Sequence, residues 1–322
     1  MPLLDEAATV ERTHVVRPLT ARRLRPGEAL AETIIFAAST ISILGVFLIF
    51  VFVAREALPL LTSHEIQKEV TLRSLLTTRI WQPVGVEPKY SILPLVIGTL
   101  KVTIIAILFA TPLAIGGAIY TAEFAPRKVR EVVKPFIEIL AGFPSVVLGF
   151  IALMVLATLL QKITGVQSRL NAFVGGIAVG LAITPVIFTV VEDSLTAIPK
   201  AFREASLALG ATRAQTALSV VVPAAAPGIA AAIILGIGRG IGETMIVLMA
   251  TGNAAIISWS PFDSTRTMAA TIGQEMAEVV FGDAHYTVLF FIGVILFAIT
   301  FVLNLISHAF VRRITRKLGS LK

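Results

Sequence analysis

The chain predicts an all-α integral membrane protein with six transmembrane helices, and three observations lead there. Hydrophobic residues make up 56% of the 322 and charged residues 15%, with a mean hydropathy of +0.88. That balance is too apolar for a soluble domain of this length. The uncharged windows Thr33–Val53, Val102–Ala122, Ile139–Gln161, Leu170–Val191 and Thr287–Ser307 are each long enough to cross ~30 Å of hydrocarbon as a helix. A sixth apolar stretch, Pro227–Gly252, is uncharged except for Arg239 and Glu243.

In chain order, residues 1–30 form a polar N-terminal arm carrying Arg12, Arg17, Arg22, Arg23 and Arg25, ahead of a six-helix domain over residues 31–322. The first span, about 33–53, is longer than a signal-peptide core and reads as an uncleaved anchor. The loop 54–91 is punctuated by Pro83 and Pro88 and shows no strand pattern. The second span, about 99–122, begins with Lys101 as an interface anchor. A short basic loop leads to the third span, about 138–161, and a turn to the fourth, about 170–191. The fifth spans about 226–252 and the sixth about 286–308. Between them, segment 253–285 carries Met268, Ile272, Met276 and Val279 at helical spacing, which predicts a short amphipathic helix at the interface, with Trp259 as an anchor.

Prolines and glycines interrupt several spans: Pro112 with Gly116 and Gly117, Pro144 with Gly142, and Pro185 with Gly180. Ordinary kinking accounts for them, since neighbouring helices and hydroxyls re-satisfy the freed backbone groups. The alternative is broken helices lining a path, with the helix start at Pro144–Ser145 offering N–H groups to an anion.

The net charge of +7 could suit nucleic acid, but its distribution is topogenic. With a cytoplasmic amino terminus, the inside segments hold 17 Lys and Arg and the outside segments 8, of which the 5 in 54–91 face 4 acids. Both termini are therefore expected to be cytoplasmic, with the lipid bilayer rather than nucleic acid as partner. The absence of cysteine excludes disulfides, thiolate catalysis and Cys-ligated metals. There is no HExxH, GxSxG or Walker A stretch, so neither a membrane enzyme nor a chain that hydrolyses ATP by itself is indicated.

The inner segment 192–223 reads EDSLTAIPKAFREASLALGATRAQTALSVVVP. Pro199 suits a first helical turn, Ala201, Phe202, Ala205, Ala208 and Leu209 share a face, Gly210 stops the helix, and Thr212 can cap a second one running to Pro223. A lipid-seeking helix would present bulky residues against a basic far side, whereas this one presents alanines, so docking to a protein partner is favoured.

Here the sequence resembles a known family. Glu204-Ala205-Ser206, then Gly210, then Val220-Val221-Val222-Pro223 match the EAA loop of ABC importer permeases in spacing, with Ser for the second Ala and valines for Ile and Leu. In that family the loop is a coupling helix docked on the ATP-hydrolysing subunit, which implies coupling roles for Glu204, Ala205, Gly210 and Pro223. WQPVGVEPKYSILPLVIGTL, IEILAGFPSVVLGF, GRGIGETMIVLMATGN and RTMAATIGQEMAEV resemble the phosphate-specific ABC importer. The ETM…GN ending and REALPLL after the first span are closer to its PstC-type permease than to PstA. The resemblance covers roughly residues 40–315 and implies the MetI-like all-helical permease fold in a bacterial or archaeal cytoplasmic membrane. It also implies a PstA-like second permease, a PstB-like ATPase dimer holding ATP and Mg, and a PstS-like phosphate-binding protein outside. No cofactor is expected on this chain.

Arg239 falls near the middle of its apolar stretch, where a lone charge costs at least ~2.5–3.5 kcal/mol. Glu243 lies one turn on, so the two can meet on one face. A buried ion pair fixing register is one reading. The other is functional: a guanidinium offers up to five donors and keeps its charge, which suits an oxyanion such as phosphate, with Glu243 holding Arg239 until the anion passes. The resemblance places both charges in the transport pathway. Ser145, Asn253 and Glu138 also lie near span ends; helix-end solvation is as good a reading of Asn253 and Glu138 as a role in the path. Gly228, Ala232, Gly236 and Gly240 form a small-residue ladder for close helix approach, and Gly238 with Gly242 a second. The rivals are a permease of the same fold for sulfate or molybdate, and an ion-driven phosphate carrier in which the EAA-like loop has no role.

Overall fold

The computed structural model describes residues 26–319, and among them every extended regular element is a helix. The expectations for most of the arm and for the last residues of the basic tail lie outside the described residues. Residues up to Ile49 and residues from Phe50 onward form two bodies. The first is one apolar helix, the greater part of α1 (Pro26–Ala57), whose described side chains are nearly all exposed, as suits a helix wrapped in lipid.

In the second body, the loop 54–91 folds into three short helices, Pro59–Thr62, His64–Glu69 and Leu72–Thr77. Beyond them Gln82 and Lys89 exchange backbone hydrogen bonds of 2.7 and 2.8 Å. Leu60, Val70, Leu75, Trp81 and Tyr90 of this cap are buried with Leu95 and Leu289 in a satellite core. Helix α2 (Leu93–Ile119) starts on Pro94, whose missing N–H costs nothing in a first turn, and ends in a π-turn, Tyr120–Phe124.

The next stretch departs from the sequence reading. The basic segment expected as a loop is helix α3 (Arg127–Ala141), and the third span starts only at Ser145, with α4 (Ser145–Ile151) continuing through a π-turn at Ala152–Leu156 to Ala157–Thr164. Pro144 sets the break. It has no N–H to donate and turns Phe143 away from helical backbone.

Helix α5 (Ala172–Thr196) is the hub, capped by the Asn171 side chain accepting from Val174 N at 3.0 Å. Val179, Ile183, Ile187, Val191 and Leu195 are fully buried. Along α2, Ala106, Ala110, Ala114 and Ala118 recur every four residues at 0–1% exposure, a smooth ridge on which α5 lies closely. A Cβ at Gly180 would come within 2.8 Å of Phe109 Cδ1, so the approach depends on the missing side chain.

The hairpin follows as α6 (Lys200–Ala208) and α7 (Arg213–Thr216), the latter running through a π-turn at Ala217–Val221 to Ala224. Its second arm meets α8 (Ala226–Ile241) at 68°. The fifth span is then broken again: α8 stops at Ile241 and α9 (Met245–Ala250) resumes after Gly242–Thr244. Of the two small-residue ladders, the first is in use. A Cβ at Gly228 would run into Ser194 Oγ, one at Gly236 would meet Ile187 Cδ1 at 2.6 Å, and Ala232 is fully buried. Nothing lies within 4 Å of a Cβ at Gly238, so the second ladder faces away from this chain.

Helix α10 (Met268–Glu275) corrects another expectation: Met268, Ala269, Ala270 and Thr271 are buried, so it is a packed element and not a helix resting on lipid. Lys101 likewise is no interface anchor; it is 6% exposed and donates to the carbonyls of Ser258 and Ser260 at 3.1 Å each. Helix α11 (Ala284–Gly319) is the sixth span. Among the described residues five helices are long and apolar enough to cross a membrane, and the bent pair makes up to six.

Candidate functional site

The second body has two polar ends joined by α2 and its π-turn, ~45 Å apart at ~1.5 Å per residue. One end holds Trp81 and α10, the other the hairpin. The Arg239–Glu243 break lies between them. Gly240 packs level with Thr103 and Val179, ten residues or ~15 Å into α2 from its Leu93 start. Arg239 therefore stands about a third of the way in from the Trp81 end, off the midpoint where its place between Pro227 and Gly252 had put it.

Arg239 and Glu243 do not pair. Among the described residues neither a hydrogen bond nor an ion pair joins them. The cause is the helix end at Ile241: the i, i+4 geometry needs continuous helix, and Gly242–Thr244 interrupts it. Arg239 instead occupies the last turn of α8, where a cation suits the negative end of the helix dipole. Its side chain lies on the exposed flank of this chain with Leu235 and Gly238 close by in sequence. Glu243 is half-buried, with Oε1 3.5 Å from Ile246 N, so it faces the positive end of α9. The sequence expectation of a resting ion pair is thereby overturned.

Ser145 is the first residue of α4, half-buried, one turn before Gly149. Gly149 lies so close to α9 that a Cβ there would be 3.2 Å from Ile246 Cα and Met245 O. The structure thus brings the start of α4 to the helix that follows the break. Asn253 is placed elsewhere, in a joint. Its φ of +53 follows Gly252 at +78, its side-chain nitrogen donates to Gln274, and its carbonyl accepts from Arg266 Nε at 3.0 Å. Glu138 is exposed on α3.

At the Trp81 end a buried carboxylate organises the cap. Glu275 Oε1 accepts from Arg266 Nη1 at 2.5 Å and Trp81 Nε1 at 3.1 Å, while His285 Nε2 lies 2.9 Å from Oε2. Burial by itself would raise the Glu275 carboxyl, but the hydrogen bonds from His285 and Trp81 and the Arg266 charge together hold it below the ordinary value of 4.5. Tyr90, stacked edge-on to Trp81, is pushed up to about 12 by burial and nearby acids.

At the other end the hairpin is compact. Pro199 precedes α6, Gly210 turns the chain at φ +85, and Thr212 caps α7: its Oγ1 accepts from Gln215 N at 3.2 Å while Gln215 Oε1 accepts from Thr212 N at 2.8 Å. Only glycine takes the Gly210 conformation without strain. Ser206 and Thr216 hydroxyls meet at 3.0 Å across the hairpin. Glu204, Ala205, Phe202, Leu207 and Leu209 are exposed on it, and Pro223 is exposed at the bend into α8. Arg203 turns inward to Glu123, 80 residues away. The sequence reading missed that pair and the Glu275 cluster, because no local spacing links residues so far apart; the only signal was an arginine directly before Glu204.

Residues 114–318 match the family of binding-protein-dependent transport system inner membrane components. The chain is 38% identical to the probable ABC transporter permease protein YqgH of Bacillus subtilis, over 72% of this chain and 75% of that protein. It is 34% identical to the phosphate transport system permease protein PstC of Mesorhizobium japonicum, over 77% and 80%. The inward-facing MetNI methionine ABC transporter has the same fold, with a TM-score of 0.54 at 20% identity, over 67% of this chain and 93% of that one. A multi-pass bundle with a helical hairpin and a matching family lead to one conclusion: the chain belongs to the binding-protein-dependent transport system inner membrane component family, MetI-like in fold, and is a permease subunit of an ABC transporter.

Proposed function

We propose that this chain is the PstC-type half of an importer that moves inorganic phosphate inward across a bacterial or archaeal cytoplasmic membrane. The observation that carries the reading is Arg239: a guanidinium on an exposed flank at a helix break, in a stretch where residues 215–261 hold no other charge but Glu243. A lone guanidinium facing lipid would cost at least ~2.5–3.5 kcal/mol, which favours a wet or protein-covered flank. A PstA-like permease set against it would place Arg239 on a path between the two subunits. The 34% identity to a protein named PstC supports phosphate as the oxyanion. Arg239 then supplies donors to the phosphate, and the first turns of α4 and α9, with Ser145 and Glu243, flank the route. Asn253 holds the loop where the route opens outward.

The hairpin, with Glu204, Ala205, Gly210 and Pro223, docks on a PstB-like ATPase dimer that carries ATP and Mg, and a PstS-like protein delivers phosphate outside. Both termini are cytoplasmic, with residues 1–30 as an arm and 31–322 as the permease domain. The test is uptake into proteoliposomes holding this chain with its second permease, ATPase and binding protein. ATP-dependent uptake of radiolabelled phosphate, in preference to sulfate and molybdate, is expected. Preference for sulfate or molybdate would make it a permease of the same fold for that anion, and uptake driven by an ion gradient without ATP would refute the importer.

A further inference from the structure

One arginine ties the hairpin to the helix bundle. Arg203 Nη1 donates to Ile198 O at 2.6 Å and Nη2 to Leu195 O at 2.8 Å, at the C-terminal end of α5, where a cation suits the helix dipole. Nη2 also donates to Glu123 Oε1 at 2.7 Å, and Nε lies 3.2 and 3.1 Å from Glu123 Oε1 and Oε2. Every guanidinium nitrogen is engaged. The two side chains are 21% and 10% exposed, a setting in which a charge-assisted fork is stronger than at an open surface. Glu123 belongs to the π-turn that ends α2, and that turn is braced in its own right: Arg130 Nε and Nη2 donate to Thr121 O at 3.0 Å and Ala122 O at 2.8 Å. Among the described residues no other α6 side chain makes a hydrogen bond or ion pair outside the hairpin; Ser206 reaches only Thr216.

We propose that the Arg203–Glu123 pair is the latch through which α6, pushed by the ATPase, moves α2 and α5 together. Arg203 lies beside Glu204 on the exposed docking helix, so a displacement of the hairpin reaches the pair first. Beyond it, α2 and α5 pack along their length through the alanine ridge, which makes them one stiff unit. The pair positions the coupling helix and touches neither phosphate nor nucleotide. A lysine at 203 would keep the charge but could not hold a carboxylate and two carbonyls in one plane.

The inference rests on the hairpin docking on an ATPase and not on which solute is carried. The experiment uses the whole reconstituted importer, with radiolabelled phosphate as probe, and reads phosphate moved per ATP hydrolysed. Glu123→Gln and Arg203→Lys are each expected to retain the ATPase on purification and to hydrolyse ATP, while the ratio falls about tenfold. The chain has no cysteine, so Glu123→Cys with Arg203→Cys can be bridged by a short bifunctional thiol reagent, and bridging should restore the ratio. An unchanged ratio in both charge variants, or loss of the ATPase from them, overturns the latch. So does a bridged variant that stays uncoupled. Failure of the parent reading looks different: the wild-type complex would hold no ATPase. If it holds one but carries sulfate, the ratio is read with sulfate and tests the latch equally well.

Discussion

Arg239 sits in the last turn of α8, and among the described residues no carboxylate pairs with its guanidinium. Glu243 serves the start of α9 instead, so the two residues separate into different tasks. Arg239→Lys retains the charge and loses the fork, and Arg239→Ala loses both. Phosphate uptake should fall at least about tenfold in the first and disappear in the second, with normal assembly of the complex. Uptake surviving both changes would remove Arg239 from the path. Glu275 makes the contrasting case of a charge fully partnered. Its carboxyl is held below 4.5 in the folded protein, so the stability it contributes is complete above that value and is lost as pH falls through the lowered one. Acid unfolding of the detergent-solubilised protein should therefore be shifted to higher pH in Glu275→Ala, which leaves Arg266 and His285 without their acceptor. Tyr90, pushed up to about 12, stays a neutral phenol through neutral pH and stabilises the cap until strongly alkaline conditions.

Individual helices follow from their sequences where composition decides, and deviate where a break decides. The Gly228–Ala232–Gly236 face of α8 was readable as small residues at four-residue spacing and is a packed face; the alanine ridge of α2 has the same spacing and packs the same way, although it was not singled out from the sequence. The breaks at Gly142–Pro144 and Gly242–Thr244 were less legible. Gly142 and Pro144 mark the first as an interruption, yet no charge falls there and the apolar window 139–161 runs across it; Arg239 and Glu243 mark the second, but two charges four residues apart read as a continuous helix face and not as a helix end. Two neighbouring glycines separate the readings of α8. Gly236→Val should push α8 off α5, since even a Cβ meets Ile187 at 2.6 Å, at a cost of about 1–3 kcal/mol for an overfilled contact. Gly238→Ala meets nothing within 4 Å and should leave the isolated chain as stable or slightly more so, given alanine's better helix propensity. Thermal denaturation of the two variants in one detergent checks the contrast; equal losses would mean that α8 is not seated on Ile187.

For the whole molecule, the fold class and the hairpin were legible because hydropathy and the E-A-S…G…P spacing are local signals. The ties within each end were not, because Glu123–Arg203 and Trp81–Glu275 pair residues 80 and 194 apart. The hairpin presents Phe202, Leu207 and Leu209 at 48, 44 and 90% exposure, an apolar tip that water disfavours and a partner groove would cover. Glu204 stands beside it with no partner in this chain among the described residues, free to meet a cation on another subunit. Gly210 makes the tip possible, since its φ of +85 strains any residue with a Cβ by about 1–2 kcal/mol. Replacing Glu204 and Gly210 by bulky residues should therefore leave the membrane bundle folded, as judged by an unchanged elution profile, while the ATPase no longer co-purifies and ATP-dependent phosphate uptake ceases. Uptake that continued in the double variant would mean that the hairpin does not receive the drive.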